Sequence, residues 1–145
     1  MFNTIAGSVV SVAVGVPATN NAAGFAALTW VVVGEITDIP SVVGRDYSTV
    51  THSPIASAQE IEKKGSYKLP TAEFKCAWDK DDAGQIIIEA ASKSYAIYSI
   101  KVHNQNSTDD FLTAQVKSFM KQNGTSNNVQ TGSFVLLRQT DTITV

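Results

Sequence analysis

The sequence has few of the features from which disulfide-stabilised, nucleic-acid-binding or membrane-spanning proteins are built. One cysteine in 145 residues excludes an intramolecular disulfide framework. The net charge is −2, whereas a dedicated nucleic-acid-binding protein would carry a basic surplus. No apolar run reaches the ~18 residues of a membrane-spanning helix. A chain of this length is expected to form one domain, residues 1–145, with a core of its own.

Recognisable catalytic and metal-binding motifs are also lacking. The sequence contains no G-x-S-x-G nucleophile elbow and no phosphate-binding loop. The acidic run Asp79–Asp82 before Gly84 partly matches a calcium loop, but Ala83 breaks the pattern and Ala90 replaces the closing glutamate. We therefore predict that the protein is not an enzyme, that it holds no cofactor or metal, and that this acidic run begins a helix.

The histidines and the cysteine give no sign of a reactive site. His52 and His103 lie in polar segments that we predict to be solvent-exposed loops. Cys76 follows Lys75, whose side chain would point to the opposite face of a strand. The pattern therefore predicts a buried, unreactive thiol rather than a nucleophile.

Alternation of apolar and polar residues predicts a mainly β protein. Valines at every second position of Ser8–Val16 favour a strand over the apolar core of a signal peptide. A turn-rich connection, Pro17–Gly24, follows it. The further predicted strands are Leu28–Ile36, Ser66–Trp78 with an interruption at Pro70, Tyr95–Val102, Phe111–Met120, Val129–Leu137 and Thr142–Val145. We expect an antiparallel β-sandwich or barrel with one flanking α-helix.

The flanking helix is predicted over Asp82–Lys93. Asp82 and Gln85 have the spacing of a capping box, and Glu89 and Lys93 form a favourable i, i+4 pair. A buried strand could use the same β-branched isoleucines, so both structures remain open for this run. In the helical alternative, the apolar stripe expected to pack against the sheet comprises Ala83, Ile86, Ile87, Ala90 and Ala91.

An unusually long connection, residues 40–65, follows the second predicted strand. It greatly exceeds the ~4–6 residues of an ordinary connection, and proline or glycine recurs along it. It is too apolar for plain disorder, and Tyr47–His52 could form a short strand within it. We expect this loop to protrude from the domain and to be disordered in the free subunit. Its apolar side chains would then be buried by a second copy of the chain.

The order of elements resembles that of the major tail tube proteins of long-tailed bacteriophages. The resemblance rests on five segments spread over most of the chain: Ala22–Pro40, Thr51–Ala56, Lys63–Tyr67, Asp81–Gln85 and Phe111–Phe119. It implies a β-sandwich with a flanking helix, whose subunits form hexameric rings that stack into a hollow tube. In that family the long loop after the second strand reaches a neighbouring subunit or ring.

The resemblance also implies partners and a location. The chain would bind copies of itself and other tail proteins, such as the tape measure, tail tip and terminator, and DNA would pass through the tube without specific binding. It would be part of the virion tail, assembled in the host cytoplasm, with no membrane insertion. The residues expected to contact a neighbouring subunit are those of the long loop, namely Arg45, Tyr47, His52, Ile55, Lys63 and Lys64.

A second function remains open on the sequence. A monomeric β-sandwich could display the loop at residues 40–65 to a receptor or glycan, as an adhesion or binding module. Such a module would need a solvent-exposed loop and no contact between copies of the chain.

Overall fold

The computed structural model describes residues 2–145, which form a mainly β protein with antiparallel strands. The predicted fold class is confirmed, although the described residues contain two helices where one was expected. The strands are β1 (Val9–Ala13), β2 (Val31–Val33), β3 (Ile36–Asp38), β4 (Asp46–His52), β5 (Ile61–Lys68), β6 (Ala72–Ala77), β7 (Tyr98–His103), β8 (Asp109–Gln122), β9 (Thr131–Arg138) and β10 (Ile143–Thr144). The helices are α1 (Ala22–Ala26) and α2 (Ala83–Ser92).

Eight of the strands form one sheet, in the order β2-β1-β7-β8-β9-β6-β3, with β10 paired to β8. The two ends of this order, β2 and β3, are separated in the chain by Gly34 and Glu35 alone. The first and last strands must therefore lie next to each other, so the sheet curves until its ends almost meet. Curvature of this kind encloses one face of the sheet and creates an interior.

The interior is filled by one cluster of buried apolar side chains. On the central strands they alternate with less buried residues, as on β9, where Phe134 and Leu136 are fully buried. The rings of Phe74 and Phe134 stack with centroids 5.1 Å apart. The cluster comprises Val10, Val12, Val33, Val42, Ala72, Phe74, Ile88, Ala91, Ile100, Val102, Leu112, Ala114, Val116, Phe134 and Leu136.

Helix α2 confirms the predicted helix and its N-cap, Asp82, although the Gln85 side chain bonds to Asp79, Gly34 and Ala77 rather than back to the cap. The Asp82 carboxylate accepts a hydrogen bond from the Gln85 backbone N–H at 2.9 Å, and Lys93 is the C-cap. The expected pair between Glu89 and Lys93 is present at 3.8 Å. The acidic run thus begins a helix, as predicted.

The expected apolar stripe of α2 is wrong in part, because Ala91 is buried as predicted but Ala83, Ile86 and Ala90 are exposed. The residues that α2 buries are Gly84, Gln85, Ile88 and Ala91. Ile86 and Ala90 face solvent, and Ile87 is only partly buried. Three consecutive isoleucines allow more than one apolar stripe, and the sequence offered no means of choosing between them.

The N-terminal turn of α2 clamps the corner where the sheet ends meet. The Asp82 carboxylate accepts from the Gly34 N–H at 3.1 Å, and the Gln85 amide donates to the carbonyls of Gly34 (3.1 Å) and Ala77 (2.9 Å). A Cβ atom on Gly84 would lie 2.4 Å from the Val32 carbonyl oxygen. The close approach of helix and strand therefore requires glycine at position 84.

Two predicted elements near the N-terminus are corrected. The segment Leu28–Ile36 is not one strand, because the chain turns at Glu35 (φ 62°) and separates β2 from β3. The connection Pro17–Gly24 runs into helix α1, whose five residues are too few to show a helical period. Phe25 of α1 is buried against Phe111 at 5.1 Å between ring centroids, which holds α1 on the outer face of β8.

The long connection is corrected as well. Instead of an irregular loop, residues 46–68 contain a two-stranded antiparallel hairpin, β4 and β5, separate from the main sheet. The possible strand Tyr47–His52 is confirmed as β4. The other strand, β5, takes in Lys63 and Lys64 and also the first part of the predicted strand Ser66–Trp78, which breaks around Pro70 as expected.

Candidate subunit interface

The hairpin of β4 and β5, which we call the arm (residues 46–68), extends away from the folded body of the chain. Seven residues of β4 would span about 20 Å at ~3.3 Å per residue. Within residues 2–145, β4 and β5 pair with each other and with no other strand. Every residue of the two strands is exposed except Gly65, which is half-buried. The arm therefore contributes nothing to the core and is held to the body at its base.

One face of the arm carries aromatic and cationic side chains. Tyr47 and Tyr67 are paired across the strands, with ring centroids 5.4 Å apart. The Lys64 ammonium lies 4.7 Å from the centre of the Tyr47 ring, and the Arg45 guanidinium lies 4.3 Å from that of Tyr67. Such cation–π contacts fix the two rings in place on an otherwise exposed surface.

Large apolar side chains are exposed on the opposite face of the arm, next to His52 and Lys63, and at the tip. Val50 and Ile61 lie on the same face, since Val50 pairs with Lys63 and Ile61 pairs with His52. Their exposed fractions are 56% and 43%, and Ile55 at the tip is fully exposed. Burying large apolar side chains lowers the free energy, so a group of them exposed on a protruding element marks a surface that favours a partner.

The base of the arm is tied to the C-terminal segment of the chain. Arg45 forms a bidentate ion pair with Asp141, in which Nε donates to Oδ1 at 2.9 Å. Its Nη1 also donates to the Tyr47 hydroxyl at 3.3 Å. The Arg45 hydrogen bonds lower the pKa of Asp141 below its usual value, and Asp141 in turn raises the pKa of Arg45. The pair thus stays charged in both partners at neutral pH.

All six residues predicted to contact a neighbouring subunit lie on the arm or at its base. The structure brings three of them, Arg45, Tyr47 and Lys64, into one cluster. His52 and Lys63 lie on the opposite face as the cross-strand partners of Ile61 and Val50, and Ile55 lies at the tip. That these residues touch another subunit remains a prediction. Sequence reasoning missed Tyr67 and Asp141, since Asp141 is 96 positions away from Arg45 and no local pattern links the two.

The thiol of Cys76 and the ring of His103 each contact another group of the protein. Cys76 is fully buried as predicted, its thiol lies 3.5 Å from the Gly132 carbonyl oxygen, and burial raises its pKa. Neither histidine lies in a loop as predicted, since His52 ends β4 and His103 ends β7, where the His103 ring contacts the Asp109 carboxylate. No cluster of three or more potential metal ligands occurs among residues 2–145. Neither α1 nor α2 has the length and apolar character needed to span a membrane.

The fold is shared with solved structures of tail tubes and injection systems. A chain of the SPP1 tail tube aligns over 97% of this chain and 78% of its own length, with a TM-score of 0.65 and 16% identity. A chain of the sheath/tube terminator of the PVC extracellular contractile injection system covers 100% and 97%, with a TM-score of 0.67 and 10% identity. A chain of the anti-feeding prophage baseplate covers the same shares, with a TM-score of 0.66 and 11% identity.

By sequence, no protein-family model and no curated protein matches this chain. The structural likeness at 10–16% identity therefore establishes the fold. At that level, the resemblance to phage tail tube proteins that the sequence predicted is confirmed.

Proposed function

We propose that the protein is a structural subunit of a phage tail tube. Copies of the chain assemble into hexameric rings, the rings stack, and the resulting tube conducts DNA into the host during ejection. The tail tube and the injection-system assemblies with the same fold support a structural role and argue against catalysis. The proposed location is the virion tail, with assembly in the host cytoplasm.

The observation that carries this proposal is the exposed arm. A lone two-stranded hairpin is marginally stable in water, and this one has apolar side chains on one face and at its tip. Contact with a neighbouring copy would bury Val50, Ile55 and Ile61 and add the free edges of β4 and β5 to a larger surface. Head-to-tail contacts of this kind close into a ring when the rotation between subunits permits.

The proposed partners are other copies of the chain and other tail proteins. Copies of the chain occupy the ring and the stack, and the ends of the tube meet other tail proteins such as the tape measure, tail tip and terminator. Tube terminator and cap assemblies contain chains of this fold, which supports partners at the ends.

Negative-stain microscopy of arm variants tests the proposal. The double variant Val50→Asp/Ile61→Asp replaces both large apolar side chains on one face of the arm with carboxylates. Burial of these charges against a neighbour would cost free energy. We expect wild-type protein to form rings or tubes and the variant to remain as free subunits. Thermal unfolding of the body should be unchanged, because both side chains lie outside the core.

The matched control is Val50→Ile/Ile61→Val, which keeps the apolar character and total volume of the face. It should assemble like the wild type. Absence of rings or tubes in wild-type protein under all conditions would refute the proposal. Normal tubes from the double aspartate variant would refute the role of the arm.

A second function is favoured by one observation. The arm is folded in the single chain, and its Tyr47–Tyr67 pair with flanking Arg45 and Lys64 is a surface suited to a receptor or glycan. Limited proteolysis within residues 53–60 distinguishes the two functions. Protection that grows with protein concentration supports assembly, whereas cleavage at the same rate at every concentration supports a monomeric adhesion or binding module.

A further inference from the structure

A buried arginine lies beside the base of the arm. Arg138 is the last residue of β9, and its side chain continues the buried row of Phe134 and Leu136. Its exposed fraction is 7%, yet no carboxylate of residues 2–145 forms an ion pair with it. Burial lowers the pKa of its guanidinium. Asp141 is near enough for its charge to act on Arg138, but it forms no direct ion pair with it. Burial of a cation without a direct ion pair costs free energy that its hydrogen bonds must offset.

The hydrogen bonds of Arg138 connect two distant segments. Nη1 donates to the Gly44 carbonyl at 3.0 Å, immediately before the arm, and Nη2 donates to the Thr142 hydroxyl at 3.0 Å. Its Nε has no partner among the described residues. The other two guanidinium nitrogens connect the segment that leads into the arm, residues 42–45, which we call its entry, to the C-terminal segment.

Two further ties join the same segments. The Thr142 hydroxyl donates to the Val42 carbonyl, and Arg45 pairs with Asp141. The Val42 side chain is itself buried in the core cluster. Three of the four residues 42–45, namely Val42, Gly44 and Arg45, are therefore tied to Arg138, Asp141 or Thr142. Val42 is also held by the core.

The exit of the arm is held differently. Within the described chain, residues 68–71 form no side-chain hydrogen bond comparable to those at the entry, and Pro70 has no backbone N–H to donate. At the entry, Gly44 has φ +119°, a conformation that disfavours any other residue. The side-chain ties of the arm therefore lie at the entry, whereas the exit runs through residues 69–71 into β6 of the main sheet.

We propose that Arg138, Asp141 and Thr142 form a latch that fixes the direction of the arm in the single chain, before any partner binds. The latch replaces the disordered loop expected from the sequence with a pre-oriented element. A pre-oriented arm loses less conformational entropy on docking, because the ordering cost is met during folding.

Distance measurement by double electron–electron resonance tests the latch. Nitroxide labels are placed at Thr51→Cys on the arm and Lys117→Cys on β8, both exposed, while Cys76 is buried and should not react. The labelled chain is diluted into unlabelled chain at a concentration at which size-exclusion chromatography shows free subunits, so that only distances within one undocked subunit contribute. We expect one narrow distance distribution, which Asp141→Asn/Thr142→Val replaces with a broad one.

The control is Glu89→Gln, which removes the exposed ion pair with Lys93 on α2 and should leave the distribution narrow. Near-UV circular dichroism verifies the fold of each variant, and Asp141→Asn alone serves if the double variant unfolds. A wild-type distribution as broad as that of the latch variants, or latch variants as narrow as wild type, would overturn the proposal. The measurement does not depend on tube assembly, so the latch and the proposed function can fail separately.

Discussion

Three consecutive isoleucines of α2 occupy three different environments. Ile86 is 51% exposed, Ile87 is partly buried, and Ile88 is fully enclosed between the helix and the sheet. The difference arises from Gly84, which brings the first turn of α2 against β2 and so fixes the rotation of the helix about its axis. A single residue without a side chain thus decides which isoleucine enters the core.

Truncation of these isoleucines should give unequal losses of stability. Ile88→Ala removes fully buried methyl groups and should lower the free energy of unfolding by about 2–5 kcal/mol. Ile86→Ala, the matched control on the solvent side of the same helix, should change it by no more than about 0.5 kcal/mol. Urea unfolding of the free subunit, followed by tryptophan fluorescence, measures both. Equal losses at the two positions would contradict this packing of α2.

At the scale of the element, the arm was the hardest feature to predict. Its strands lie outside the core, so neither face of β4 or β5 has a consistently apolar period. The sequence indicated Tyr47–His52 as a possible strand, but its partner β5 is rich in charge and contains Gly65. The arm is defined by the pairing of its two strands. A pattern of buried and exposed residues does not predict which strands pair.

The ion pair at the base of the arm should show itself in the titration of Asp141. Its pKa is lowered first by the hydrogen bonds from Arg45, with a further contribution from the charge of Arg138. We expect the Asp141 carboxyl carbon, followed by NMR, to titrate below the usual value of about 3.9. In Arg45→Gln the midpoint should rise toward that value. A midpoint unchanged by the substitution would show that the pair is absent in solution.

The sign of the pH dependence follows from the direction of this shift. Because the folded-state pKa of Asp141 lies below the unfolded-state value, the pair stabilises the base of the arm fully above about pH 3.9. That contribution is lost as the pH falls through the folded-state pKa. The arm should therefore keep its direction throughout the neutral and mildly acidic range.

At the scale of the whole molecule, charge bears on how the proposed tube would treat DNA. The chain has a net charge of −2, so six copies in a ring would carry roughly −12 in total. Strong binding to duplex DNA requires several cationic contacts with phosphates. An acidic assembly of this kind would let DNA pass without retaining it.

A gel-shift experiment examines this expectation. Duplex DNA at about 0.15 M salt should migrate unchanged in the presence of free subunits or of assembled protein. A control basic protein at the same concentration should retard the DNA. Retardation by the assembled protein alone would indicate a cationic surface created by assembly and would contradict passage without binding.

Local features of the fold could be predicted from the sequence. Alternation identified most of the core strands, the Asp82 cap and the Glu89–Lys93 pair identified α2, and the position of Cys76 opposite Lys75 on a strand identified a buried thiol. These features depend on residues close together in the chain, where period and capping chemistry are directly readable.

The features that join distant residues could not be predicted from the sequence and became apparent only in the folded chain. Contacts across long stretches of sequence bring β2 and β3 together at the two ends of the sheet and set the rotation of α2. They also tie the entry of the arm to Arg138, Asp141 and Thr142. Such contacts form only when the sheet curves and brings these segments together. The physical reason is that the core forms when the curved sheet encloses side chains from many segments, and no single segment shows which others will join it.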